Sequence, residues 1–329
     1  MALHLLAEYG VLEMMRFQTF TTAILQQYAV GFSGANVSLA SVLLVLCLLV
    51  LTLESVARGR RRVSRLGSGA LQPPVPLPLG RWKIPALAAL TALVLLSLVV
   101  PVALVGRWLI AGWARSSSGL ADVLQVTGST LGLALLGGLI AVLLALPGAV
   151  LLSRGGGWLA TLLERATFVG SALPGVVVAL ALVGIAITWL PSIYQTVALL
   201  VAAYAILFLP RAMVNLRSGL TAAPPELSES ARPLGQGGVS VMTRVVLPLA
   251  LPSVLAGFVL VALAISTELT ATLLLAPTGT NTLALAFWAA SDELDYASAA
   301  PYAAVMIALS IPLTVVLRRQ ITHGRRVKR

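Results

Sequence analysis

Long apolar runs alternate with short polar, basic or proline-rich stretches along most of the chain. A helix that crosses a bilayer needs about 20 mostly apolar residues. Seven stretches meet that length: Val37–Ala57, Ile84–Leu109, Gly128–Ser153, Ala166–Leu190, Ile193–Leu209, Leu249–Leu269 and Ala300–Leu317. They are far longer than barrel strands and lack period-two alternation, so they predict helices. Helices also satisfy their own backbone hydrogen bonds in lipid. Pro147, Pro174 and Gly175 fall within these runs, and packed helix bundles tolerate such residues. The pattern predicts an all-α polytopic membrane protein with about seven transmembrane helices.

Charge supplies the sidedness. With the loop after the first span inside, the inner segments are 58–83, 154–165, 211–244 and 318–329. They hold 7, 2, 4 and 6 of the 22 Lys and Arg residues. Arg16, Arg107 and Arg115 fall outside. Basic residues collect in short cytoplasmic loops, so this asymmetry puts residues 211–244 and the C-terminus in the cytoplasm. Residues 58–83 combine an arginine cluster, Arg60 to Arg65, with a proline-rich stretch ending near Pro78. That composition predicts an extended, poorly ordered cytoplasmic linker and topology determinant.

Composition narrows the class. The chain of 329 residues is 59% hydrophobic and 10% charged, whereas soluble domains carry about 25% charged residues. The net charge of +11 does not point to nucleic acid, because the basic residues cluster between apolar runs rather than on one soluble face. Cys47 is the single cysteine and lies in an apolar run, which excludes a disulfide framework. Met1 to Tyr28 lacks a basic start, and Glu8, Glu13 and Arg16 interrupt its apolar residues, so it does not read as a signal peptide. The chain has no phosphate-binding Gly-x-x-x-x-Gly-Lys-Ser/Thr sequence, nucleophile elbow or paired metal ligands. It is not expected to be an enzyme, and no cofactor is expected in it.

The longest inner loop carries the most specific signal. Pro224 and Pro225 suit a helix start, with Glu226 and Glu229 in turns where the helix dipole favours acids. Gly235 to Gly238 stops that helix. Val239 to Leu247 then leads into Pro248, a first-turn residue for the next span. The segment resembles the signature of permease subunits of ABC importers: Glu-Ala-Ala, three residues, Gly, nine residues, Ile-x-Leu-Pro. Glu229, Ser230, Ala231, Gly235, Val245, Leu247 and Pro248 stand at the matching positions. Ser230 replaces the first Ala, and Val245 replaces Ile. Pro233 departs further. It removes the hydrogen bond to the Glu229 carbonyl and predicts a short or bent docking helix.

The resemblance implies a type I importer permease-like six-helix core that docks a cytoplasmic ATPase dimer through the 226–248 loop. ATP would be bound by those partner subunits. It also implies a periplasmic or extracellular substrate-binding protein, a second permease half, and an inner-membrane location surrounded by lipid. One six-helix block cannot enclose a two-sided pathway, so pairing with a copy of itself or a separate chain is expected. Small residues at Ser230, Ala231 and Gly235 permit close approach to the ATPase. Glu229 can accept a charge-assisted hydrogen bond from a basic partner.

A second stretch, Ser266 to Pro277, resembles ferric-iron ABC permeases, with Thr270 where that family has Pro. Thr282 to Trp288 and Asp292 to Ala300 also fit. Members of that family are commonly fused proteins with two six-helix halves, and Glu8 to Leu12 and Arg16 to Ile24 resemble the end of a first half. The implied domains are 1–57, the end of a preceding half with one span; 58–83, the linker; 84–320, the six-helix permease domain; and 321–329, a basic cytoplasmic tail. Such a chain would be a split or truncated product. Glu268, with Thr267 and Thr270, is the candidate substrate-path group, because an ionisable residue at membrane depth is a functional candidate. A locally capping carboxylate is the equal alternative for Glu268. Asp292, Glu293 and Asp295 are candidate contacts for the binding protein, although a solvated loop explains each singly. Thiamine, oxyanion or polyamine import would share the docking segment. An ion-coupled secondary transporter would need an internal repeat and ionisable groups at mid-membrane, and neither is evident in the sequence.

Overall fold

In the computed structural model, the described residues are 2–31, 34–58, 80–112, 119–154, 157–221 and 247–326. Among them there are helices and no strands. The N-terminal part comprises α1 (Ala2–Ala7), α2 (Gly10–Met14), α3 (Phe20–Val30) and α4 (Gly34–Arg58). Next comes one long helix, α5 (Lys83–Val94), which passes through a π-helical turn at Leu95–Val99 into α6 (Val100–Gly112). The central helices are α7 (Leu120–Arg154), α8 (Trp158–Gly170), α9 (Gly175–Trp189) and α10 (Val197–Thr221). The last are α11 (Leu247–Ser266), α12 (Thr270–Leu275), α13 (Leu283–Asp292) and α14 (Tyr296–Arg326).

All seven expected spans fall on helices. Four helices are each long and apolar enough to cross a membrane: Gly34–Ala57, Gly80–Gly112, Leu120–Ser153 and Val197–Leu220. Ala250–Ser266 and Tyr296–Ile311 are shorter apolar helices.

The expected span Ala166–Leu190 is different. It is a helix pair, α8 and α9, bent by 102°. The bend has a local cause. Pro174 adopts an extended backbone (φ −67°, ψ 141°) and has no N–H to continue α8. The turn satisfies its own polar groups: the Ser171 hydroxyl donates to the Phe168 carbonyl at 2.7 Å, and the Leu173 amide to the Gly170 carbonyl at 3.3 Å. The Val177 and Val178 amides then donate to the Pro174 carbonyl and start α9. Pro147, Pro210 and Pro252 lie inside continuous helices.

A second difference concerns α10. It does not end near Leu209 but runs to Thr221. Arg211 and Arg217 are therefore helical residues and not part of an inner loop.

The core forms where α7, α10 and α11 pack together. Ala141, Ala145, Ala149, Leu200, Tyr204, Leu216 and Val261 are fully buried there. Glycines bring the backbones close. A Cβ at Gly137 would meet Tyr204 and Ile265 at 3.2 Å, and one at Gly219 would sit 2.4 Å from Ser253 Cβ. Lipid tails are as apolar as Leu, so helix association in a bilayer depends on such close packing. Cys47 is buried in the same core and unpaired.

Residues 59–79 of the expected linker lie outside the described residues. So do Glu229, Ser230, Ala231, Pro233, Gly235 and Val245 of the expected docking segment. Leu247 opens α11, and Pro248 stands in its first turn.

Candidate functional site

The bend between α8 and α9 opens a cavity of about 1060 Å³. Its walls come from the N-terminal segment, the bend, α10, the α11–α12 junction and α13. Glu8, Ser171, Arg211, Asn215, Thr267, Glu268 and Thr270 supply the polar lining, and Phe208, Trp288 and Met306 much of the apolar part. The structure thus brings together all three expected substrate-path residues, Glu268, Thr267 and Thr270.

Glu268 lies between two helix starts. Its Oε1 accepts the Ala271 amide of α12 at 3.1 Å. The same atom is 3.1 Å from where a Cβ on Gly175 would stand, at the start of α9. Any side chain at 175 would push on the carboxylate, so glycine there permits the approach. A negative group is favoured at a helix N-terminus. Glu268 therefore does cap locally, and it also lines the cavity. Both readings of this residue have a basis in the geometry.

The backbone of Glu268 is held as firmly as its side chain. The Thr272 hydroxyl donates to the Glu268 carbonyl at 2.6 Å. That leaves Thr272 Oγ1 to accept from the Tyr204 hydroxyl, 2.7 Å away on α10. Thr272 and Tyr204 are both fully buried. This short chain ties the acid to the central core. Thr267 donates to carbonyls of its own helix, at 3.2 Å to Ala264, and remains exposed to the cavity.

Arg211 is a site residue that sequence reasoning missed, because it was assigned to a loop. Its guanidinium lies 5.3 Å from the centre of the Phe208 ring. Arg211 and Glu8 line the same cavity as Glu268. Glu8 was also missed as a site residue, because nothing local marks it. An apolar run extending through Leu209 to a cation two residues later was the available signal for Arg211.

The acids at the α13–α14 junction behave differently. Asp292, Glu293 and Asp295 are exposed. Asp295 precedes α14 and accepts the Ser298 amide at 3.1 Å. Hydrogen bonds from the Ser298 hydroxyl and amide hold its carboxyl below the usual carboxylate range. Asp295 is thus a helix cap first. Asp292 lies near Tyr9, whose phenol is pushed up to about 12 by burial, and then by Glu13 and Asp292. Tyr9 also contacts Trp288, with ring centres 5.2 Å apart. Among the described residues no cluster of three or more His, Cys, Asp or Glu could hold a metal ion.

Long apolar helices around a polar cavity at a broken span define a multi-pass, all-α membrane protein with the features of a transport component. The chain belongs to the family of binding-protein-dependent transport system inner membrane components, whose model matches residues 137–323. It is 33% identical over 313 residues to the Fe(3+)-transport system permease protein FbpB 2 of Haemophilus influenzae. That match covers 94% of this chain and 62% of the relative, so the chain spans about three-fifths of the relative's length. A solved chain of the MetNI methionine ABC transporter, in inward-facing form, matches 63% of this chain and 94% of its own length. That match has 17% identity and a TM-score of 0.45.

Proposed function

We propose that the chain is the transmembrane subunit of an ATP-driven ABC importer that passes ferric iron from a binding protein through the cavity at the helix break. The match to the inner-membrane transport family over residues 137–323 carries the importer reading. The named Fe(3+) permease relative supports iron. The cavity chemistry agrees. Two carboxylates, Glu8 and Glu268, face it with hydroxyls from Thr267 and Ser171. Hard cations prefer such oxygen groups. An oxyanion would meet two acidic side chains there, with Arg211 the one basic residue among the described lining residues.

Coupling would run through Glu229 to Pro248, with Glu229, Ser230, Ala231 and Gly235 against the ATPase and the loop in the cytoplasm. The remaining parts of this reading are a second permease half, an external binding protein meeting Asp292 and Glu293, and the correspondence of residues 1–57 to the end of a preceding half.

Copurification tests the coupling. The wild-type chain is expected to retain an ATPase dimer, and Glu229→Lys to lose it. Retention of the ATPase by Glu229→Lys would remove the docking assignment. Uptake of radiolabelled ferric iron into vesicles holding the whole complex tests the substrate. Transport of thiamine or an oxyanion with no iron uptake would overturn iron alone.

The charged groups at the helix break also suit an ion-coupled transporter. Uptake that survives removal of every ATPase would favour that reading.

A further inference from the structure

A second cavity adjoins the first, and Ser171 and Val214 border both. Its volume is about 430 Å³, within the range of small-ligand pockets, about 300–1,000 Å³. Its walls come from the end of α7, from α8 and from α10. Leu152, Phe168 and Met213 supply apolar surface, and Glu164, Arg165 and Arg217 supply the charges.

Those charges are not equivalent. Arg217 donates to Glu164 at 2.6 Å, so that cation is matched. Arg165 is exposed and, among the described residues, pairs with no acid. The threonine hydroxyls in the wall already donate within α8: Thr161 to the Gly157 carbonyl at 3.3 Å, and Thr167 to the Leu163 carbonyl at 2.7 Å. The cavity thus offers one uncommitted cation beside an apolar wall. That suits a ligand with an anionic head and a hydrocarbon tail.

Location selects among such ligands. α8 and α9 are bent by 102°, so both cannot follow the bilayer normal. α9 has no charged residue, whereas α8 carries Glu164 and Arg165. α8 is therefore the one suited to the membrane surface, and it follows an inner loop. Trp158, Leu162 and Arg165 recur along it at helical spacing, and all three are exposed. A tryptophan and a cation on one apolar face fit a helix lying among lipid headgroups. Basic pockets between helices on the cytoplasmic side suit acidic headgroups.

We infer that this cavity is a site for an anionic phospholipid of the inner leaflet, with its phosphate held by Arg165 and an acyl chain against Phe168 and Met213. Occupancy braces Ser171 and Val214, the wall shared with the polar cavity, and so favours transport. Arg217 stands one turn before the end of α10, which places the site beside the entry to the docking segment. The inference rests on the importer reading for its orientation and for this effect on transport.

The complete complex in detergent is titrated with phosphatidylglycerol or phosphatidylcholine, and bound lipid is counted by native mass spectrometry. Phosphatidylglycerol is expected to bind more tightly than phosphatidylcholine. Arg165→Gln is expected to weaken its binding about tenfold, the scale of one charge-assisted hydrogen bond, and Arg165→Lys to recover part. Thr161→Trp keeps every charge but fills the cavity, and is expected to lose the lipid too. Arg81→Gln, at an inner basic residue outside this cavity, is the control and is expected to bind as wild type. Equal binding of the two lipids, or wild-type binding by either Arg165→Gln or Thr161→Trp, would overturn the site. Displacement of the lipid by inorganic phosphate would make a free anion the ligand and overturn the lipid. These measurements need no iron, so they can fail with the importer reading intact. Iron uptake is then compared in phosphatidylcholine vesicles with and without phosphatidylglycerol. Wild type is expected to gain severalfold from phosphatidylglycerol, and Arg165→Gln to gain little. Equal gain in both would overturn the link to transport. No uptake by wild type in either vesicle would overturn the importer reading and leave the lipid site standing.

Discussion

The helix over Gly80–Gly112 and the central helix α10 are both strongly apolar, yet their surroundings are opposite. Mean hydropathy is 2.7 for the first and 2.1 for the Val197–Leu220 helix. None of the first helix's most apolar stretch is buried, whereas 56% of the second's is. Hydropathy therefore reports which segments enter a bilayer and not which of them pack together. Close glycine contacts mark the packed side. Around α10, Gly137, Gly148 and Gly219 let neighbouring helices approach closely. The outlying helix has large side chains such as Ile84, Leu87, Leu90 and Leu96 exposed. Its close glycine contact is at its end, where a Cβ on Gly112 would stand 2.8 Å from Ala297 Cβ. Trp108 and Tyr296 pack beside that contact, with ring centres 5.6 Å apart.

The largest expected effect breaks the packed side of this comparison. Gly219→Leu puts a side chain where Ser253 already stands. Overpacking of this kind costs about 1–3 kcal/mol or more. Thermal unfolding in detergent is expected to show a clear drop, and wild-type stability would mean that α10 and α11 separate easily.

Next is Tyr204→Phe, which removes the hydroxyl that donates to Thr272. Hydrogen bonds between membrane helices average about 0.6 kcal/mol, so a loss of roughly that size is expected in the same assay. The more informative result is iron uptake, expected to fall because the chain through Thr272 holds the Glu268 backbone.

Glu164→Gln probes the ion pair with Arg217, N to O 2.6 Å, which joins α8 to the end of α10. Both side chains are well exposed, at 57% and 40%. Exposed pairs are worth about 0–1 kcal/mol, and high salt is expected to erase even that difference.

Leu87→Ala on the outlying helix is expected to be the smallest, within about 0.5 kcal/mol. A large loss of stability there would show that a partner covers this helix in the assembled complex.

These cases also show where sequence reasoning worked. All seven apolar runs became helices, because length and apolarity are what a bilayer demands of each segment separately. Pro248 was read at the start of a helix for an equally local reason, its missing N–H. The bend at Pro174 was misjudged. A proline can be absorbed in a helix, as Pro147, Pro210 and Pro252 are, or can end one. At Pro174 the helix ends, and the glycines on either side pack closely: a Cβ on Gly170 would stand 3.0 Å from Pro210 Cγ, and one on Gly175 3.1 Å from Glu268 Oε1. Arg211 was misplaced because a cation after an apolar run looks like a loop, while its helix continues another three turns.

The sequence by itself determined the helical class and the apolar runs that became helices. Each depends on residue types and spacings within one stretch of chain. Only the tertiary structure decided that Glu8, Arg211 and Glu268 share one cavity. That relation joins residues far apart in sequence, and it depends on which helices pack and where the broken one turns.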